Sequence, residues 1–230
     1  MYDFKIACQP LPAPSAPRAL RAVLSVILTA SALLSSALSA AEAAPSAELG
    51  KGLYVTCTAC HGAKGEGNAA LNAPAIAGQE PWYVERQLKS FKAGLRGTHE
   101  KDTYGMQMRP MSMTLADDAA VANVAAYIAT FPAPPKEDVK GWGGSATKGQ
   151  ALYATCAACH GAKGEGNAAL NAPKLTGLPS WYLARQLKHF KEGVRGADPK
   201  DTYGMQMRPM AMMLADEQAI KDVVAFIKGL

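Results

Sequence analysis

The feature that most constrains this 230-residue chain is an internal repeat with a period of 99 residues. Shifting the sequence by that period aligns residues 50–131 with residues 149–230 without a gap, and 52 of the 82 aligned pairs are identical. Identity at this level indicates duplication, and so long a period is typical of two separate domains rather than a solenoid. We therefore predict a first domain over residues 46–131 and a second over residues 147–230.

Two further segments lie outside the repeats. Residues 132–146 are rich in Pro and Gly, which prevent a continuous helix, so we interpret them as a linker. Residues 1–43 contain Arg18 and Arg21 followed by an uncharged run of small apolar residues, the pattern of a secretory signal peptide. We expect export to the periplasm with cleavage of this leader. A retained membrane anchor is the alternative, because the uncharged run approaches the roughly 20 residues that span a bilayer.

Within each domain, apolar residues recur at helical spacing, and no segment alternates for long enough to predict a sheet. In the first domain we predict helices over residues 47–60, 81–93 and 116–130, and the second copy repeats the pattern. The predicted fold class is all-α, with two small helical domains in tandem. Because about 80 residues is a marginal length for an apolar core alone, we expect an additional group in each interior.

Each domain carries one Cys-x-x-Cys-His motif, which is the attachment signature of c-type haem. The members are Cys57, Cys60 and His61 in the first domain and Cys156, Cys159 and His160 in the second. Two thiols three positions apart on a helical turn can add to the two vinyl groups of one haem, while the adjacent imidazole faces the iron. A zinc knuckle needs more ligands than each domain offers, and a redox dithiol expects a preceding strand. We therefore predict two covalently bound haem c groups.

Comparison of the two copies narrows the choice of residue for the second axial ligand of each iron. His99 and His189 are not duplicated, which argues against bis-histidine ligation in both domains. Four methionines in each copy remain candidates, although methionine at this density is also typical of core filler. These are Met106, Met108, Met111 and Met113, with Met205, Met207, Met210 and Met212. Thioether ligation opposite histidine favours ferrous haem and raises its potential.

The paired motifs, each followed by a methionine-rich loop before the last helix, resemble cytochrome c4, a family of two tandem class I cytochrome c domains. The resemblance covers residues 46–230. It implies that the sixth ligand is the methionine seven residues before the leucine that leads into the final helix. This places the ligands at Met108 and Met207, with Met111 and Met210 as the alternatives.

Other residues carry softer expectations. The resemblance implies that the carbonyl of Pro74, and of Pro173 in the second copy, accepts a hydrogen bond from the ligand histidine, with a plain turn as the alternative. We expect core packing for the Trp-Tyr pairs, with contact at the haem edge as the alternative. We expect solvated surface positions for the duplicated arginines, with pairing to the haem propionates as the alternative. The pairs are Trp82–Tyr83 and Trp181–Tyr182, and the arginines are Arg86, Arg109, Arg185 and Arg208.

Closed coordination by histidine and methionine predicts an electron carrier rather than an enzyme, because the iron has no open position for substrate. The resemblance implies a quinol-oxidising cytochrome complex as donor and a haem-copper terminal oxidase as acceptor. A dihaem electron-transfer subunit of a dehydrogenase is the alternative; a cytochrome c peroxidase is a weaker one, because it needs two unlike halves. Interleaving of 24 Lys and Arg with 19 Asp and Glu argues against nucleic acid as a partner. Peripheral membrane association is compatible with this role.

Overall fold

The computed structural model describes residues 44–137 and 140–230. The predicted signal peptide over residues 1–43 lies outside these ranges, as do two positions of the predicted linker. The described residues form eight α-helices, four in each domain, and no β-strand. The predicted all-α fold with two tandem domains is confirmed.

The helices of the two domains follow the same order. In the first domain they are α1 (Ala47–His61), α2 (Pro81–Lys92), α3 (Thr103–Met113) and α4 (Asp118–Ile128). In the second they are α5 (Ala146–His160), α6 (Ser180–Lys191), α7 (Thr202–Met212) and α8 (Glu217–Gly229). Among the described residues, no helix is long and apolar enough to cross a membrane.

Local sequence signals explain where the helices begin. The Ser46 hydroxyl accepts a hydrogen bond from the backbone N–H of Leu49 at the start of α1. Asp117 does the same for Ala120 at the start of α4, so each helix begins with an N-cap that satisfies one free backbone donor. α2 begins with Pro81, whose ring suits the first turn because that residue needs no N–H bond.

The methionine-rich segment is a helix, so the prediction of a loop there was wrong. Asp102 caps α3 by accepting a hydrogen bond from the backbone N–H of Gly105 at 3.1 Å. Gly105 and Pro110 both lie within the helix, and both residue types weigh against helix in a sequence. The cap and the packing of α3 against α2 outweigh these propensities. The helix gives its methionines fixed directions, and this matters for the site.

The core of the first domain forms where α1 crosses α4. Tyr54 of α1 packs against a fully buried stripe of Val121, Val124 and Ile128 on α4. The helices approach closely at Gly50, where a Cβ atom would lie 2.0 Å from the backbone oxygen of Asn123. The second domain repeats this crossing between α5 and α8, with Gly149 in the same role.

We predict that Gly50→Ala destabilises the haem-loaded protein by about 1–3 kcal/mol, because the added methyl group overlaps the backbone of α4. Gly52→Ala is the matched control: this residue lies on the exposed side of the same helix with nothing within 4 Å of the added carbon. The control should stabilise the protein by about 0.5–1 kcal/mol through helix propensity. Denaturant unfolding followed by circular dichroism measures both. Equal effects of the two substitutions would contradict the close crossing.

Candidate functional site: two haem cavities

A cavity of about 290 Å³ lies in the first domain beside the end of α1. Most of its wall is apolar, and all four helices of the first domain, the segment 71–79 and four residues of the second domain contribute to it. The apolar lining residues include Val84, Leu88, Phe91, Leu115, Val124 and Ile128. Such a cavity suits a large apolar group with a few polar attachments.

His61 is the last residue of α1 and projects into this cavity while 6% exposed. Its Nδ1 lies 2.8 Å from the carbonyl oxygen of Pro74. Because a carbonyl oxygen can only accept, Nδ1 carries the proton and donates it, which leaves a lone pair on Nε2. Burial lowers the pKa of His61 below its usual value, although the bond to Pro74 opposes this shift. The predicted contact between histidine and proline carbonyl is confirmed.

Met108 of α3 approaches the same imidazole from the opposite side. Its Sδ atom lies 3.5 Å from Nε2 of His61. A thioether sulfur has no proton to donate, and Nε2 has none once Nδ1 is protonated, so two electron-pair donors face each other. Nitrogen and thioether donors that converge without a proton between them are suited to a metal ion, and this pair matches one known axial set of haem iron.

The two thiols of the motif lie at the edge of the cavity. Cys57 and Cys60 are both lining residues, the first half-buried and the second exposed. Burial raises the pKa of the Cys57 thiol above its usual value. Gly62, with a φ of 82°, ends the helix after His61, and the Tyr54 hydroxyl donates to its carbonyl at 2.8 Å. The turn that presents the motif is therefore held by the domain core.

The second domain builds the same arrangement around a cavity of about 170 Å³. His160 ends α5, is 6% exposed, and its Nδ1 donates to the carbonyl oxygen of Pro173 at 2.7 Å. Burial again lowers the pKa of this imidazole. The second cavity is lined by residues equivalent to those of the first, namely Cys156, Cys159, His160, Met207 and Met210.

The structure separates the candidate methionines into two groups. Met108 and Met111 line the first cavity, and Met207 and Met210 line the second. Met106 and Met113 are 41% and 56% exposed and do not line the first cavity, which excludes them as candidates in this arrangement. Met111 is 40% exposed, whereas Met108 is half-buried with its sulfur at His61.

Two of the four arginines expected at the solvated surface, Arg86 and Arg185, instead bridge the two domains, and the Nε atoms of the other two, Arg109 and Arg208, are buried. Arg86 donates to the side-chain and backbone oxygens of Asn171 at 3.2 and 2.9 Å. Arg185 makes the same two bonds to Asn72 at 3.0 and 3.1 Å. Each asparagine has a φ of 55° and lies two residues before the proline whose carbonyl holds a motif histidine. Sequence reasoning missed this exchange, since a repeat shows that positions are equivalent but not that the copies touch.

A second set of polar residues lies at the centre of the domain interface. Arg96 donates to Gln87 at 2.6 Å and to Gln186 of the other domain at 3.4 Å. Arg195 donates to Gln186 at 2.5 Å and to Gln87 at 3.1 Å. Both guanidinium groups are buried, and neither forms an ion pair within residues 44–137 and 140–230.

The Trp-Tyr pairs belong to this interface more than to the cores. Tyr83 and Tyr182 line both cavities, so the two cavities share a wall. Trp82 and Trp181 lie beside the bridging arginines, with ring centroids 4.8 Å from the Arg86 guanidinium and 4.7 Å from that of Arg185. Tyr182 also packs against the apolar core of the second domain, as expected, whereas the place of both tyrosines in the two cavity walls fits the alternative of contact at the haem edge.

Comparison with known proteins agrees with this geometry. A family model described as "Cytochrome c" matches residues 47–132 and again residues 146–230. The chain is 36% identical to cytochrome c4 of Thiocapsa roseopersicina over 185 residues, which cover 76% of this chain and 86% of that protein. The crystal structure of reduced recombinant cytochrome c4 from Pseudomonas stutzeri superposes with a TM-score of 0.67 at 30% identity, covering 81% of this chain and all of that one.

A second kind of relative carries a different name. A protein described as "Thiosulfate dehydrogenase electron acceptor", from Stutzerimonas stutzeri strain A1501, is 34% identical over 166 residues. The match covers 68% of this chain and 73% of that protein. Both kinds of relative are therefore similar to this chain over most of the two domains.

These findings confirm the predicted cofactor, two covalently bound haem c groups, with one attached in each domain through Cys57 and Cys60 or through Cys156 and Cys159. A separate structural observation shows that the residues of the cavities fit haem. The Nε atoms of Arg96 and Arg195 are buried without a hydrogen-bond partner among the described residues. Each of these arginines lines one cavity. Because buried charges are normally paired, the carboxylates of the haem propionates would supply the counter-charge that the described protein residues lack.

Proposed function

The chain belongs to the cytochrome c family, in its two-domain cytochrome c4 group, and we propose that His61 with Met108 and His160 with Met207 ligate its two haem irons. The approach of Met108 Sδ to His61 Nε2 carries this proposal, because the two atoms offer lone pairs to one point. The second pair rests on the repeat and on the shared lining of the second cavity. Bound haem c supplies a one-electron couple between ferrous and ferric iron.

The residues of the chain would support this couple by holding the iron from both sides. The bond from Nδ1 to the proline carbonyl orients each imidazole and keeps its other nitrogen free for the metal. The apolar walls limit the access of water, and two protein ligands would leave the iron no open position for a substrate. The chain is accordingly an electron-transfer cytochrome and not an enzyme.

Exposed apolar residues at the cavity edge offer a route for electrons to enter and leave. Leu71 and Met111 line the first cavity yet are 49% and 40% exposed. Leu170 and Met210 repeat this edge in the second domain at 49% and 39%. A small apolar edge of this kind suits the weak, transient docking that electron carriers use, with interfaces at the low end of the usual size range.

For the physiological role, we infer that the protein shuttles electrons in the periplasm from a quinol-oxidising cytochrome complex to a haem-copper terminal oxidase. The leader over residues 1–43 supports export, and two like domains that meet through a shared wall suit a carrier of two electrons. Service to a dehydrogenase is the second candidate. Its support is the relative described as an electron acceptor of thiosulfate dehydrogenase.

We predict that Met108→Ala abolishes the sulfur-to-iron absorption band of one haem and lowers its potential, because the thioether that favours ferrous iron is removed. Met111→Ala is the matched control, since it removes a methionine from the same helix and the same cavity. The control should keep both bands. Met207→Ala and Met210→Ala form the same pair in the second domain. Survival of both bands in Met108→Ala would show that another residue ligates the iron.

Rapid mixing of the haem-loaded protein with each candidate redox partner measures the rate of electron transfer and so distinguishes the two proposed roles. We expect membranes that contain a haem-copper oxidase to reoxidise the reduced protein. This reaction should be at least about tenfold faster than reduction of the oxidised protein by thiosulfate dehydrogenase with thiosulfate. A tenfold ratio corresponds to a difference of about 1.4 kcal/mol in the barrier. Leu71→Glu should slow the exchange without altering the absorption spectrum, because it places a charge at the apolar docking edge. Faster exchange with the dehydrogenase would instead establish the second candidate.

A further inference from the structure

The domain interface is nearly two-fold symmetric, and one of the buried positions at which the two copies differ holds a histidine. His189 of α6 occupies the place that Ser90 occupies on α2 of the first domain. Ser90 turns back to its own helix and donates to the carbonyl oxygen of Arg86 at 2.7 Å. His189 instead faces the first domain, where its Nδ1 lies 3.7 Å from a carboxylate oxygen of Asp102. The two haem cavities therefore have different neighbours.

Asp102 connects this histidine to the first haem cavity. The residue is 3% exposed, lines that cavity, and caps the helix that carries Met108. Its Oδ2 atom has no hydrogen-bond partner among the described residues, and neither does Nδ1 of His189. The separation of 3.7 Å is within ion-pair range but longer than a hydrogen bond. The carboxylate oxygen at 3.7 Å is Oδ1, which also accepts from Gly105, so a proton on His189 would face a carboxylate whose second oxygen is unused.

The charges that face His189 come from both domains. Asp102 of the first domain favours the imidazolium, whereas Arg195 and Arg185 of the second domain and Arg96 of the first oppose it. Burial is the largest influence and lowers the pKa of His189 below its usual value. The balance between one carboxylate and three guanidinium groups makes the protonation of His189 sensitive to any further charge nearby.

Oxidation of ferrous to ferric haem adds one positive charge of this kind. We propose that His189 is a proton-binding site linked to the oxidation state of the haem in the first domain. While the haem is ferrous, the imidazole of His189 keeps its proton. When the redox partner takes one electron from that iron, the added positive charge favours release of the proton from the imidazole to water, and reduction reverses both steps.

Linkage fixes the sign of the effect. If oxidation favours proton release, protonation must favour the ferrous state by the same amount. The potential of the first-domain haem is therefore highest with His189 protonated and falls as pH rises through the histidine titration. The second-domain haem has Ser90 at the equivalent place. Its potential should therefore not change with pH over the range in which His189 titrates. This inference requires a haem in the first cavity but is independent of the partner and of which methionine ligates the iron.

The test is a redox titration of the haem-loaded protein at several pH values between about 5 and 8, the range in which histidine titrates. The two haems are assigned by NMR contacts with residues of each domain. We expect one pH-dependent potential, that of the first-domain haem, in the unmodified protein and in His99→Asn. His189→Ser and His189→Gln should remove that dependence. The His99 control removes a titratable histidine from the loop that leads to Asp102.

A direct measurement on the unmodified protein guards against misfolded variants. The imidazole proton signals of His189, followed by NMR, should titrate at a higher pH in the fully reduced than in the fully oxidised protein. Equal midpoints in the two oxidation states would overturn the proposal. So would a pH-dependent first-domain potential that survives in both His189 variants.

Discussion

The hydrogen bond from each motif histidine to a proline carbonyl is the interaction on which the site depends. Because the carbonyl can only accept, the bond places the proton on Nδ1 and directs the lone pair of Nε2 into the cavity. Met108 then brings a second lone pair to the same point from α3. Without the fixed tautomer, the imidazole nitrogen could itself hold a proton and the thioether would face no metal-binding partner.

Contacts between the domains support the same histidine–proline hydrogen bonds. Arg185 holds the side chain and backbone of Asn72, two residues before Pro74, and Arg86 holds Asn171 in the same way. Each domain therefore helps to position the loop that orients the other domain's histidine. Arg96 and Arg195 meet near the shared wall, where two like charges are bridged by glutamine oxygens. The propionate carboxylates of two haems would offset that repulsion, so cofactor and interface stabilise each other.

The sequence was most informative where chemistry demands fixed spacing. The Cys-x-x-Cys-His motifs and the helices other than α3 were predictable from residue types and periodicity, whereas the role of Pro74 followed from the family resemblance. α3 was not predictable, because Gly105 and Pro110 disfavour helix locally while the Asp102 cap and tertiary packing stabilise it. Nor were the bridging arginines, whose partners are far away in the chain. The asymmetry at His189 emerges only when its neighbour Asp102 is known.

X-ray absorption at the iron edge tests the central claim, that histidine and methionine hold both irons, most directly. The haem-loaded protein should show five nitrogen scatterers and one sulfur scatterer per iron in both oxidation states. A sulfur count near one half would mean that only one domain uses methionine. An iron environment with nitrogen or oxygen alone in either oxidation state would contradict the account, because it would leave the approach of Met108 to His61 without a metal to explain it.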